Sequence, residues 1–158
     1  MKKLILILSL VLTLGLVGCS KSSEYKNVSA STVEKAITSS GLLVEQSMNY
    51  NITDFDYFND IKDSIEEGFM IRAAINIALE DVLFIKTSSE EDANKAFEAL
   101  ESYKEGMIMR PFGDGYGKEE NATRAANTVI EKKGNYVYLI SADNVEKINQ
   151  LIIDTITK

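Results

Sequence analysis

The sequence predicts an α+β domain on a mainly antiparallel sheet, in the order β-β-α-β-β-α behind an N-terminal helix, with the helices packed on one face. Three observations predict it. Residues 69–76 alternate: Phe69, Ile71, Ala73 and Ile75 lie on one side, Met70, Arg72, Ala74 and Asn76 on the other, the period of a strand with one buried face. Two strand-like runs, Thr128-Val129-Ile130-Glu131-Lys132-Lys133 and Tyr136-Val137-Tyr138-Leu139-Ile140, flank Gly134-Asn135, which has hairpin turn chemistry. Amphipathic helical patterns follow each strand pair, and paired strands joined by short turns favour an antiparallel sheet.

Taken in order, Ser31-Thr32-Val33-Glu34 fits a capping box. Val33, Ala36 and Ile37 follow at helical spacing, and Gly41 can end that helix. Residues 42–50 fit two patterns: Leu42, Val44, Met48 and Tyr50 alternate like a strand, and a helix continuing through Gly41 fits equally. Residues 53–58 suit a short helical turn that carries Phe55 and Phe58 inward. Val82-Leu83-Phe84-Ile85 is the second strand of the first pair. Ser88-Ser89-Glu90-Glu91 is another capping box, and behind it Ala93, Ala96, Phe97, Leu100 and Tyr103 share one helix face. Glu90, Glu91 and Asp92 sit where the helix dipole favours negative charge, and Gly106 is a stop signal. Residues 110–117 form the one obvious loop. Tyr136 and Tyr138 share a strand face and are expected to close the sheet's edge. Asp143-Asn144-Val145-Glu146 opens the last helix, with Val145, Ile148, Ile152 and Ile156 facing in.

The chain has 158 residues, the length of one domain. Its N-terminus reads as a leader. Lys2 and Lys3 precede a 14-residue apolar stretch, residues 4–17, shorter than the ~20 residues a spanning helix needs. Leu16-Val17-Gly18-Cys19 then resembles the lipobox of bacterial lipoproteins at all four positions. That resemblance implies a diacylglycerol on the thiol of Cys19, removal of residues 1–18, and attachment to the outer face of the cell membrane. A thiolate is the nucleophile this chemistry needs, and two acyl chains supply the two signals that stable anchoring requires. Residues 19–28 then read as a flexible tether, whose eight polar residues Ser20-Lys21-Ser22-Ser23-Glu24-Tyr25-Lys26-Asn27 reach roughly 26 Å when extended. Residues 29–158 read as a single domain.

Losing Lys2 and Lys3 with the leader moves the formal charge from −7 to −9. A body this acidic has no general electrostatic footprint for nucleic acid and is repelled by anionic head groups. The chain has no histidine and one cysteine, which excludes Ser-His-Asp and Cys-His catalysis and every histidine-ligated metal site.

From Glu66 onward, about ninety residues, the chain resembles the DUF4358 family of small lipoproteins of Gram-positive bacteria. The resemblance rests on Glu80-Asp81-Val82-Leu83-Phe84-Ile85-Lys86 running into the amphipathic helix, on Tyr116 and Glu119-Glu120, and most on Asn127-Thr128-Val129-Ile130 leading into Gly134-Asn135-Tyr136-Val137-Tyr138-Leu139-Ile140. It implies no established activity, so no catalytic residue is carried over.

Carboxylates are the catalysts left open by composition. Glycoside hydrolysis needs two of them across a cleft, ~5 Å or ~6.5–9.5 Å apart. Glu66-Glu67, Glu80-Asp81, Glu90-Glu91 and Glu119-Glu120 supply the type, but adjacent residues on a strand point to opposite faces, and solvated surface acids are the plainer reading. Asp54, Asp56 and Asp60 fail the EF-hand spacing: Phe58 stands at position 5, Asn59 at 6 and Ile65 at 12. No metal or cofactor is therefore expected. The glycines of Phe112-Gly113-Asp114-Gly115-Tyr116-Gly117 lack the form and context of a nucleotide loop. Arg110, Phe112 and Tyr116 are candidate contact residues, because aromatics on loops often serve binding. In the alternative, both aromatics fold back and plug the sheet's end. The expected function is that of a non-enzymatic, lipid-anchored extracytoplasmic protein binding a protein partner or envelope component. A carboxylate-dependent envelope hydrolase is the alternative.

Overall fold

The structure is a computed structural model, and it describes residues 25–74, 78–109 and 118–157. Helix α1 (Ala30–Thr38) is capped by Ser29, whose Oγ accepts the Thr32 N–H at 3.3 Å. The cap thus lies two residues before the Ser31–Glu34 box read from the sequence. Tertiary partners explain the shift. Glu67 Oε2 accepts the Ala30 N–H at 2.8 Å, and Glu34 accepts a hydrogen bond from Asn49 Nδ2 at 2.8 Å instead of closing a local box.

After Gly41, at φ +70°, the ambiguous stretch becomes strand β1 (Ser47–Asn51). Its start is held by Glu80, which accepts from the Val44 N–H at 3.1 Å and from Ser47 Oγ at 2.7 Å. Two 3₁₀ segments follow, Ile52–Asp54 and Asp56–Ser64, and carry Phe58 into the core as expected. Strands β2 (Ile65–Ala73) and β3 (Asp81–Thr87) lead to helix α2 (Glu90–Met109). Ser89 caps α2, its Oγ accepting the Asp92 N–H at 3.1 Å and donating to Asp92 Oδ2 at 2.8 Å. The expected stop at Gly106 is corrected: the helix passes through it to Met109, and a Cβ there would meet nothing within 4 Å. Helix α3 (Lys118–Ala126), not foreseen, precedes strands β4 (Val129–Lys133) and β5 (Tyr136–Ser141) and helix α4 (Val145–Ile156).

The fold is α+β, as expected. The five strands are antiparallel throughout, in the order β1-β2-β3-β5-β4. The β4–β5 hairpin turns on Gly134-Asn135, where Gly134 takes φ +61°, the left-handed region that glycine adopts without strain. β5 lies inside the sheet, so Tyr136 and Tyr138 are fully buried core residues and not an edge closure.

The expectation that helices pack on one face is corrected, because both faces are covered. On one side Phe69, Ile71, Val82, Phe84, Tyr136, Tyr138 and Ile140 meet Val33 and Ile37 of α1 and Ile148, Ile152 and Ile156 of α4. On the other Met70, Leu83, Ile85, Val137 and Leu139 meet Ala93, Ala96, Leu100 and Met107 of α2, with Phe58 and Ala125. The physical reason is that Val82-Leu83-Phe84-Ile85 and Tyr136-Val137-Tyr138-Leu139-Ile140 are apolar at every position, the mark of strands buried on two sides. Gly68 admits the 3₁₀ segment to the second face, since a Cβ there would lie 2.5 Å from Ile52 Cγ2 and 2.8 Å from Phe84 O.

Residues 25–28, read as the end of a tether, are bonded to the body. Tyr25 bridges Thr157, and the Lys26 N–H donates to Ile156 O at 2.7 Å.

Candidate functional site

A largely buried polar cluster lies at one end of the sheet, where β2 finishes and β3 begins. Arg72 and Asp81 are register partners on these strands. Arg72 Nε donates to Asp81 Oδ1 at 2.8 Å, and Nη2 donates to Oδ2 at 3.0 Å, a bidentate pair. Tyr103 descends from α2 onto the same pair. Its hydroxyl accepts from Arg72 Nη2 at 2.8 Å and donates to Asp81 Oδ2 at 2.7 Å. The Asp81 side chain is 2% exposed and that of Arg72 34% exposed, so the carboxylate is sealed and one flank of the guanidinium reaches solvent. The hydrogen bond to Asp81 raises the guanidinium's pKa above its already high value, so this is a fixed positive charge.

Exposed apolar and aromatic side chains occur on the elements that carry this cluster and on their neighbours. Met48 stands opposite Arg72 on β1 and is about half exposed. Tyr57, also about half exposed, meets Tyr103 edge-on at 5.2 Å between ring centres. Ile108 and Met109 are exposed on the last turn of α2. Nearby, the Leu79 N–H donates to Asn121 Oδ1 at 2.7 Å, tying the β2–β3 connection to α3. A separate open groove of about 340 Å³ runs along α2 beside β4, lined by Phe97, Glu101, Lys104, Glu105, Ile108 and Ile130.

Of the sequence-nominated residues, Asp81 stands in this cluster. Cys19, Arg110, Phe112 and Tyr116 lie outside the described residues. Met109 and Lys118, which bracket residues 110–117, are described as the end of α2 and the start of α3. Of the acids, Glu90, Glu91, Glu119 and Glu120 are exposed in the first turns of α2 and α3. Glu80 holds β1, and Asp81 holds Arg72 and Tyr103. Asp54, Asp56 and Asp60 are exposed on the 3₁₀ segments, and no three metal-ligating side chains converge among the described residues.

Sequence reasoning missed Arg72, Asp81 and Tyr103 as a unit. Arg72 reads as the polar phase of an alternating strand, and Tyr103 as one of five residues on an apolar helix face. The available signal was an arginine near the end of one strand and an aspartate at the head of the next, after a long apolar run had marked that strand as buried on both sides.

A second cluster marks the opposite end of the sheet. Lys86 Nζ lies 3.0 Å from Glu67 Oε1 and 3.5 Å from Glu66 Oε2. Burial alone would raise the Glu67 pKa, but hydrogen bonds from Lys86 and the Ala30 N–H outweigh it and hold the carboxyl below the ordinary range. Because its folded pKa is depressed, Glu67 contributes stability above the unfolded value, about 4.3, and that contribution is lost as pH falls through the lower folded value. Glu67→Gln is therefore expected to lower the melting temperature at neutral pH, with the gap to wild type closing as the pH drops below about 4.3. A gap that stays constant in melting curves across that window would contradict the assignment.

A family model described as "Domain of unknown function (DUF4358)" matches residues 42–142. The chain belongs to this family. The DUF4358 match begins upstream of Glu66, where the sequence resemblance starts, and so takes in β1 and the 3₁₀ segments. It ends at Ala142, before α4. Arg72, Asp81 and Tyr103 lie within the matched span, whereas α1 and α4, which cover the first face, lie outside it. Comparison with curated proteins and with solved structures gave no significant match.

Proposed function

We propose that this DUF4358 protein is a lipid-anchored extracytoplasmic protein that presents its α+β domain to a protein partner or envelope component. The observation that carries the reading is Leu16-Val17-Gly18-Cys19 behind Lys2, Lys3 and the apolar stretch of residues 4–17. That stretch is too short to span a bilayer, and Cys19 is the chain's sole cysteine, so it has no disulfide partner within the chain. Among the described residues no helix is long and apolar enough to cross a membrane. The contact residues are Arg110, Phe112 and Tyr116, on the segment joining α2 to α3.

Radiolabelled fatty acid is expected in the wild-type protein and absent from Cys19→Ala, which also retains residues 1–18. Label persisting in Cys19→Ala would overturn the anchor. In the same detergent-solubilised membranes, Phe112→Ala with Tyr116→Ala is expected to abolish partner capture while stability stays within about 0.5 kcal/mol, the range of surface changes. Marked destabilisation with capture intact would instead place both rings in the core.

A further inference from the structure

The chain joins its domain at one end of the sheet, and the join is clamped. Besides the Tyr25–Thr157 bridge and the Lys26–Ile156 hydrogen bond, the Val28 N–H donates to Tyr136 Oη at 2.8 Å, and that hydroxyl donates to Lys26 O at 2.8 Å. Tyr136 is fully buried in β5 and cannot follow the strap outward. The ring of Tyr25 lies over the β4–β5 turn, with Cδ2 only 3.0 Å from where a Cβ at position 134 would stand. The strap is thus pinned against the end of the sheet that holds Gly134, Asn135 and Thr87, whose O accepts from Asn135 Nδ2 at 2.7 Å. Six peptide steps separate Cys19 from Tyr25, and whatever shape they take they span no more than about 22 Å.

We infer that in the membrane-attached protein the end of the sheet bearing the β4–β5 turn faces the bilayer, and the end bearing Arg72, Asp81 and Tyr103 faces away. This rests on the Cys19 anchor proposed above. Helix α2 gives the scale: its 20 residues start at Glu90, beside the near end, and finish at Met109 on the far end, roughly 30 Å along. The far end therefore stands beyond the reach of the six-step link. The acidic body is repelled by anionic head groups, which opposes its lying flat on them.

The test uses the full lipidated chain in phosphatidylcholine–phosphatidylglycerol vesicles doped with a head-group spin-labelled lipid. A fluorophore is placed on Ser88→Cys in the exposed β3–α2 turn at the near end, or on Glu45→Cys in the exposed turn before β1 at the far end. Cys19 is alkylated by its lipid and takes no label. Loss of emission is expected at position 88, with position 45 spared, while both proteins float with the vesicles. Flotation with position 45 quenched as strongly as position 88, or more so, overturns the orientation and leaves the anchor standing. Failure of both proteins to float overturns the anchor, and the orientation with it.

Discussion

Replacing Phe84 with alanine is expected to destabilise the domain by about 3–5 kcal/mol, a large part of the ~5–15 kcal/mol that holds a typical domain together. Phe84 is fully buried on the central strand β3. Its ring stacks with Phe69 at 5.6 Å and Tyr138 at 6.3 Å and lies 5.5 Å from Tyr136. These neighbours are on the two strands that flank β3, Phe69 on β2 and both tyrosines on β5, and helices α1 and α4 close over them, so the space left by the ring cannot collapse from any one side. The measurement is a urea midpoint at constant slope, the signature of a change in stability alone. A loss below about 1 kcal/mol would mean that the face under α1 and α4 is loosely covered, against the two-sided packing described above.

Asp81→Ala is expected to cost about 3 kcal/mol by a different route. It removes the acceptor of two hydrogen bonds from Arg72 and one from Tyr103, leaving a partly buried cation and a hydroxyl without that partner. Breaking one side of a buried pair costs about 3–5 kcal/mol, and the solvent-facing flank of Arg72 places this case at the lower end. Replacing both partners, with Arg72→Met and Asp81→Leu, should recover most of the loss, because paired removal strands no charge. A double-mutant cycle on denaturant midpoints reads the coupling directly. If Asp81→Ala is silent, the cluster is not a clamp between β2, β3 and α2.

How much of this was legible in the sequence follows from where each signal resides. The β4–β5 hairpin, α2 and α4 were readable because their determinants are local: Gly134-Asn135 in the turn, a serine-acid cap that the structure sets at Ser89 and Asp92, one residue after the Ser88–Glu91 box, and Ile148, Ile152 and Ile156 at helical spacing. Residues 47–51 were not, because Glu80, 33 positions from Ser47, sets where β1 begins. The same cause moved the first helix's cap, since Glu67 on β2 completes what Ser29 starts. Helical coverage of both faces is written in Val82-Leu83-Phe84-Ile85 and Tyr136-Val137-Tyr138-Leu139-Ile140, whereas the alternation in residues 69–76 and the short turns between paired strands point to a sheet with one buried face. The Arg72–Asp81–Tyr103 cluster spans 31 residues and three elements, and no local pattern joins them. The strap at residues 25–28 follows the same logic: the polar, small-residue composition of Ser20–Asn27 reads as a tether, yet Tyr136, 108 positions from Val28, decides where the chain is held.

The claim on which the functional reading stands is that Cys19 is the first residue of the mature protein and bears the lipid. Intact mass spectrometry of the wild-type protein extracted from membranes tests it most directly. The expected mass is that of residues 19–158 plus a diacylglycerol, with the added mass on the N-terminal peptide. A mass for the full 158 residues, or for a processed chain without lipid, would contradict it.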